Sequence, residues 1–578
     1  MFLERLKSNF KKELYAAYIS ITPSTYFKLS IGIAFGLTII INFIFNFLPF
    51  KFMFIEYKLI PHGILLSIII FIGTIIFMAY LPKILLQFRK SDLDAELPFF
   101  LIYLSTLSII MPPLQVFERV TRAPDYIFRE TRKEGRRLQI ETKIYGRDPI
   151  SVVEEIARMS PHKYFRSVLE GYATAVKSGS NPVEYLVKQA EVYLKKAAGE
   201  IKARAEALSS LMEALVSVFT FTTITLFSLS ISNEALPSLA GQIVILRVPR
   251  EMTMVTYVMP LLLAILFLLM AKSLQPRKLI SEYRQYFIIG PLLLISIIAS
   301  IHLILNPIKN SPLSFLRKLI EFIPVKEYMF KPMLISIILI STSTISALID
   351  YKWSRYYSSL KDGLRQFVKD LAELRRTGLS PEACISQLAN RNYGVFTRLV
   401  KLLDEYLKTL GNLKNYLNEV LKMARDWITI ALIYILIESL EVGGGKPEIF
   451  DRFASYTDSL FIIEAEKKSR LKILKVLPFA TAIIQFFAIS AVMFIFDFMI
   501  MSLRKTSLTM RIGPIIFSIL ILTNFIYGLV AGLISEERFS AGFKYSAILT
   551  GISILMLILG EGFIKNMMGI IGGIPSAR

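Results

Sequence analysis

Apolar residues along this chain are bunched into long runs rather than scattered at the intervals of a soluble core. About nine runs approach the roughly 20 mostly apolar residues that a bilayer crossing needs. They are 29–49, 62–81, 211–231, 253–271, 285–305, 332–349, 475–499, 512–533 and 545–564. A bilayer core offers no water to the peptide groups, so such runs must be helices. Two long polar stretches remain, 82–210 and 350–474, and their pattern is helical too. Leu364, Phe367, Val368, Leu371 and Leu374 recur at i, i+3, i+4, i+7 and i+10, one face of a helix. Proline stands where helices would start, at Asp148-Pro149, Ser160-Pro161, Asn181-Pro182 and Ser380-Pro381, each behind a capping residue. Gly179 and Gly378 stand where helices would stop. Strand-like alternation is scarce. The expected fold is all-α: a polytopic membrane protein of about nine transmembrane helices with two helical bundles outside the membrane.

The layout repeats. Two spans and a polar region are followed by two spans, and the same order then returns with one span more. Leu97-Pro98-Phe99-Phe100-Leu101 opens the first polar region, and Leu364-Arg365-Gln366-Phe367-Val368 opens the second 267 positions later. Leu104 and Leu107 then answer Leu371 and Leu374. Lys177-Ser-Gly-Ser-Asn-Pro182-Val-Glu resembles Val442-Gly-Gly-Gly-Lys-Pro447-Glu, and each precedes a charged helix expected to run into a span. An even number of spans separates the copies, so the repeat is parallel, unlike the inverted repeats of many transporters.

Basic residues beside the spans set orientation. Lys83, Arg89, Lys90, Lys195, Lys196, Lys202, Arg204, Lys272, Arg277, Lys278, Arg284, Lys352, Arg355, Lys467, Lys468 and Arg470 gather on one side, against fewer on the other, among them Lys51, Lys58, Arg247, Arg250, Lys309, Arg317, Lys318 and Lys326. Arg504, Lys505 and Arg511 run against the trend. With the basic side inward, 1–28 is an N-terminal cytoplasmic amphipathic segment rather than a cleaved leader. Spans one and two occupy 29–81, the first cytoplasmic bundle 82–210, and spans three to five 211–305. An extracellular loop covers 306–331, span six 332–349 and the second cytoplasmic bundle 350–474. Spans seven to nine and a tail fill 475–578.

Composition narrows the chemistry. Apolar residues make up 54% and charged residues 19% of the 578, against about 45–50% and about 25% in soluble proteins. A soluble enzyme and a disordered chain are both excluded. The net charge is +22. A single cysteine, Cys384, excludes an internal disulfide framework and a thiolate zinc cluster. His62, His162 and His302 are far apart in sequence. No cofactor or metal is expected.

The duplicated regions, with the segments "ELPFFLIYLSTLSIIMPPLQVFERV" and "GLRQFVKDLAELRRTGLSPEACISQLA", resemble the F-domain family of type II secretion and type IV pilus platform proteins, in its archaeal and tight-adherence branch. In the first segment Met111-Pro112-Pro113 replaces Gly378-Leu379-Ser380. The resemblance implies a non-enzymatic platform in the cell membrane, at the base of a pilus or archaellum. Such a platform would couple a cytoplasmic hexameric ATPase to extraction of pilin or archaellin subunits, as a homodimer at the centre of the ATPase ring. The alternative is a secondary transporter or channel with large cytoplasmic domains, although the spans are mostly uniform Ile, Leu and Phe. A membrane peptidase would need a G-x-G-D aspartate motif, which the sequence lacks.

Candidate sites follow. The densest charge cluster, Arg129 to Arg137, offers Arg132, Lys133, Arg136 and Arg137 either as a solvated or lipid-facing surface or as an ATPase docking patch. Arg375 and Arg376 are the corresponding candidates in the second repeat. Nucleic acid is not an expected partner, because the cluster lacks interleaved aromatics. Gly443-Gly444-Gly445-Lys446 fails as a phosphate loop: Pro447 follows the lysine and Leu440 lacks the leading glycine. Asp92-Leu-Asp94 is a weak metal pair with no nucleotide domain beside it. Asp497 and Glu213 are ionisable groups in or beside spans, expected to meet a basic group or a bound pilin.

Overall fold

The computed structural model describes residues 10, 13–14, 16–19, 21–47, 60–240, 250–273, 285–305, 327–409, 413–424, 426–443, 446–502 and 508–572. Residues 1–9 of the N-terminal segment, 306–326 of the loop expected outside the cell, Gly444, Gly445, Arg504, Lys505 and the tail from 573 lie outside the described residues. Among the described residues every regular element is a helix.

The first repeat begins with α1 (Pro23–Phe47) and α2 (Ile60–Leu107). Four short helices follow: α3 (Pro113–Arg119), α4 (Glu130–Gln139), α5 (Pro149–Met159) and α6 (Lys163–Lys177). Next come α7 (Pro182–Ala240), α8 (Arg250–Ser273) and α9 (Tyr286–Leu305). The second repeat opens with α10 (Phe330–Arg376), α11 (Pro381–Leu388), α12 (Thr397–Lys408), α13 (Leu413–Met423) and α14 (Trp427–Gly443). It closes with α15 (Pro447–Ile473), α16 (Val476–Ser502), α17 (Leu508–Glu536) and α18 (Gly542–Gly572).

Local sequence explains many of these boundaries. Pro149 and Pro381 take the first helical position, and Asp148 and Ser380 accept the backbone N–H groups of Ser151 and Ala383. Gly378 has φ +85°, the left-handed turn that lets α10 stop. The first repeat makes its turn differently, with Pro112 and Pro113 starting α3. The register of the duplication survives: α4 begins at Glu130 and α12 at Thr397, again 267 apart. In the first copy α7 is one continuous helix of 59 residues. In the second copy the equivalent helix breaks at Leu474–Lys475, between α15 and α16.

Among the described residues, eight helical segments are long and apolar enough to cross a bilayer, and the chain is a multi-pass membrane protein. The ninth run lies in the 24-residue α8, of which Val258–Lys272 is a further apolar helical stretch among the described residues. The spans gather around α17, which packs against α8, α10, α16 and α18. Of its apolar window 89% is buried, more than for any other span among the described residues.

Both ends of the span bundle carry polar rims. At one, Asp350 and Ser354 of α10 meet Arg538 from the α17–α18 turn, Ser540 joins Gln285 to Asp350, and Lys467 of α15 reaches Glu537. At the other, Arg511 of α17 pairs with Glu234 of α7 at 2.7 Å, and Asp497 of α16 meets the start of α17. The helices that meet at these rims therefore run between two ends of one bundle. The polar helices lie beyond the rim that holds Asp350, because α10 runs unbroken from its span into them.

The two bundles read from the sequence pack as one body. One hydrophobic core joins Phe100, Phe128 and Phe165 of the first copy to Phe367, Phe396 and Phe453 of the second. Its joint is α14, apolar nearly all round and buried from Ile430 to Ser439. The Trp427 ring meets Phe99 edge-on at 4.6 Å, and its Nε1–H donates to the Ile127 carbonyl at 3.2 Å. Tyr434 stacks on Tyr103.

Candidate functional site

The basic face is built on α4, and α2 holds α4 in place. Glu96, fully buried on α2, accepts the backbone N–H groups of Arg129, Glu130 and Thr131 at 2.8, 2.9 and 2.9 Å. A carboxylate thus satisfies the unpaired donors at the start of α4 and faces the positive end of its dipole. Arg89, also buried on α2, pairs with Glu130 and Glu134 on the next turns and donates to the Ala16 carbonyl. The Tyr18 ring lies 4.1 Å from the Arg89 guanidinium. Burial pushes the Glu134 carboxyl up, and Arg89 draws it back down. The N-terminal segment, the end of span two and the basic helix therefore meet around the buried Arg89.

The candidate residues separate by environment. Arg136 is exposed and has no ion-pair partner among the described residues. Lys133 is exposed but bridges back to Glu130 at 2.5 Å. Arg132 binds Asp125 and donates to the Thr121 carbonyl at 3.1 Å, and Arg137 binds Glu155 at 2.5 Å. These two hold the bundle together as well as charging its surface.

In the second copy, Arg376 is exposed and pairs with Asp451 at 2.9 Å. Arg375 departs from the expectation of a surface group. It is only 3% exposed, lies against the Phe450 ring, and donates to the Leu379 carbonyl across the α10–α11 turn. The reason is register: Arg375 follows Leu364, Val368 and Leu371 at heptad-like steps, on the face that α10 buries. Its role is to close that turn, and it presents no charge to a partner.

The intramembrane candidates also resolve. Asp497 accepts the backbone N–H of Leu508 at 2.6 Å and the Thr509 hydroxyl at 2.9 Å, capping α17. Glu213 is exposed on α7, and its carboxylate accepts from the Ser209 hydroxyl at 3.2 Å. Asp92 and Asp94 do not act together: Asp92 faces Arg129 at 4.0 Å and Asp94 faces His162 Nε2 at 3.2 Å. His162 Nδ1 accepts from the Phe165 N–H, so the Nε2 proton points at Asp94. Among the described residues no three His, Cys, Asp or Glu converge into a metal site. Lys446 precedes α15 as its cap residue.

One junction escaped sequence reasoning. Arg119 of α3 reaches across the repeat boundary to Glu438 and Glu441 of α14, at 2.5 and 2.8 Å. Tyr434 donates to the other Glu438 oxygen at 3.1 Å. The only local signal was a pair of carboxylates, Glu438 and Glu441, at the end of an apolar helix.

Residues 367–494 match the family model described as Type II secretion system (T2SS), protein F. The matched range runs from within α10 to within α16, inside the second repeat. No curated protein and no solved structure matches the chain.

Proposed function

We propose that this chain, a member of the type II secretion F-domain family, is the membrane platform of a filament-assembly machine of the type IV pilus or archaellum kind. It sits in the cytoplasmic membrane with its bundles inward and catalyses nothing itself. A cytoplasmic hexameric ATPase supplies motion to the bundles, and the spans pass it to pilin-like subunits. A homodimer would place two such bodies within one ATPase ring.

The observation that carries this reading is mechanical. Two helical bundles share one core, and α2, α7 and α10 continue from that core into spans without a break. A push on either bundle is therefore delivered to several spans at once. A transporter would instead need a polar path through the spans; polar side chains buried mid-span, such as Gln485 with Tyr527 and Asn524 with Ser553, hydrogen-bond to one another between helices.

Among the candidate docking groups, Arg136 and Arg376 can be reversed with the least damage. Arg132 and Arg137 bind other parts of the first bundle, and Arg375 is buried. The test is to reconstitute the full chain in vesicles and measure binding of the secretion-type ATPase encoded in the same genome. In the double variant Arg136→Glu/Arg376→Glu, exposed pairs worth about 0.2–1 kcal/mol each become repulsive. Affinity should fall roughly five- to thirtyfold, or about 1–2 kcal/mol. Absence of ATPase binding by the native chain at low salt would sink the platform reading. Unchanged binding by the variant would move the contact elsewhere on the body.

A further inference from the structure

Helix α10 carries one continuous exposed stripe from its span into the polar body. Ile345, Leu348 and Tyr351 are each about half exposed or more, at helical spacing. One turn past Tyr351 the same stripe reaches Arg355, then Ser358, Ser359, Asp362 and Gln366. These last five form one wall of an open groove of about 400 Å³, and Asn392 stands on the facing loop. Arg355 is exposed and has no ion-pair partner among the described residues. Other arginines of this bundle are engaged: Arg365 with Asp458, Arg376 with Asp451, Arg391 with Asp370.

The position of the groove relative to the membrane is fixed by the polar rim. Asp350 and Ser354 bind Arg538 there, so the hydrocarbon edge lies near residue 350. Tyr351 and Lys352, both exposed, suit the interface, where aromatic and basic side chains concentrate. At 1.5 Å per residue, Arg355 stands about 7 Å beyond Asp350. That is the depth of lipid phosphates. Asp362 stands about 10 Å further on, and with the Gln366 and Asn392 amides it offers partners for hydroxyl groups.

The first repeat lacks this arrangement. At the same register it has Phe88 for Arg355, Glu96 for Gly363 and Phe99 for Gln366. Glu96 is turned into the bundle to cap α4, and Phe99 is buried against Trp427. In the second repeat a side chain at Gly363 would instead meet the Tyr393 carbonyl at 2.4 Å. The facing loop, Asn392 to Gly394, thus comes in close against α10 and lines the groove.

We infer that this groove binds an anionic phospholipid of the adjacent leaflet. The acyl chain lies along Ile345, Leu348 and Tyr351, the phosphate meets Arg355 with Ser358 and Ser359, and a hydroxyl-bearing headgroup reaches Asp362. The bound lipid would fix how far the second bundle stands from the bilayer. The inference does not depend on the ATPase partner.

Native mass spectrometry of the full chain in detergent tests it, with phosphatidylglycerol, phosphatidic acid and phosphatidylcholine titrated separately. The native chain should bind its first phosphatidylglycerol about fivefold more tightly than phosphatidylcholine, which corresponds to the roughly 1 kcal/mol of one basic residue at a membrane surface. Arg355→Gln should bring that ratio to about one with phosphatidylcholine binding unchanged, and Arg355→Lys should keep most of it. Asp362→Leu, which removes the hydroxyl partner, should erase any preference for phosphatidylglycerol over phosphatidic acid. Millimolar inorganic phosphate should not displace the lipid. Equal affinity for the charged and zwitterionic lipids would overturn the inference, as would a preference that survives Arg355→Gln. Displacement by free phosphate would also overturn it, by making this a soluble-phosphate site.

Discussion

Arg119 draws its consequence from where its partners lie. Glu438 is buried and belongs to the other half of the chain, so removing the guanidinium leaves an uncompensated carboxylate in the shared core. Breaking one side of such a pair costs about 3–5 kcal/mol, whereas replacing both sides with apolar groups is often near neutral. Arg119→Met should therefore destabilise the protein strongly, and Arg119→Met/Glu438→Leu should recover most of the loss. Denaturant titration in detergent, followed by the fluorescence of Trp427 at the same junction, would check this. A double variant no better than the single would mean that the pair is incidental to the joint. The same scale shows where reading the sequence worked. Asp148 and Ser380 were legible as caps because capping is a local geometry of three or four residues. Arg375 was misread, yet the signal was present: its spacing from Leu364, Val368 and Leu371 put it on the buried face. Its charge was weighed and its register was not. Arg119 had no such signal, because its partners lie 319 and 322 positions away.

Helices meet most closely in the hairpin of α17 and α18. Gly528 and Gly532 form a G-x-x-x-G step on α17 and face Gly542 and Ser546 on α18. A Cβ added at Gly532 would lie 2.2 Å from the Gly542 Cα, and one at Gly528 would lie 2.3 Å from the Ser546 Cα. Both collisions are with backbone, so a rotamer change cannot relieve them. Small residues drive span association because apolar burial gives no advantage between helices in lipid. Gly528→Ala and Gly532→Ala should each cost about 3 kcal/mol or more, at or beyond the upper end for overpacking. Gly551→Ala on α18 has open space around it and is the control. Thermal size-exclusion profiles in detergent should lose the monodisperse peak of the two α17 variants at lower temperature than the native and control chains. Equal profiles for all would refute the close contact. Length and apolarity made the spans themselves legible. The central place of α17 was not, because a helix inside a bundle and one facing lipid are equally apolar. The same ambiguity hid α14, whose 17 residues are too short for an ordinary span and too apolar for a surface helix. Burial from every side resolves it.

The whole molecule is a parallel duplication whose copies have taken different parts. The first presents an exposed arginine on α4 and anchors the N-terminal segment through Arg89; the second carries the lipid groove and the central α14. The 267-residue offset made the duplication readable, but fusion of the copies depends on contacts about 300 residues apart, which no local pattern encodes. Sidedness is the property on which the functional proposal rests. The basic bias beside the spans bears on it, and the two rims say which loops share a side. The rims tie all loops of one side together, so locating one loop locates the rest. Cysteine at Ser180, in the exposed turn between α6 and α7, and at Ser311, outside the described residues, provides the test. The native chain is a suitable blank, because Cys384 is buried and burial pushes its thiol up, away from the reactive thiolate. A membrane-impermeant maleimide on intact cells should label Ser311→Cys and leave Ser180→Cys unmodified until the cells are permeabilised. Labelling of Ser180→Cys in intact cells, with Ser311→Cys protected, would turn the protein over in the membrane. The bundles would then face away from any cytoplasmic ATPase, and the platform proposal would fall with the topology.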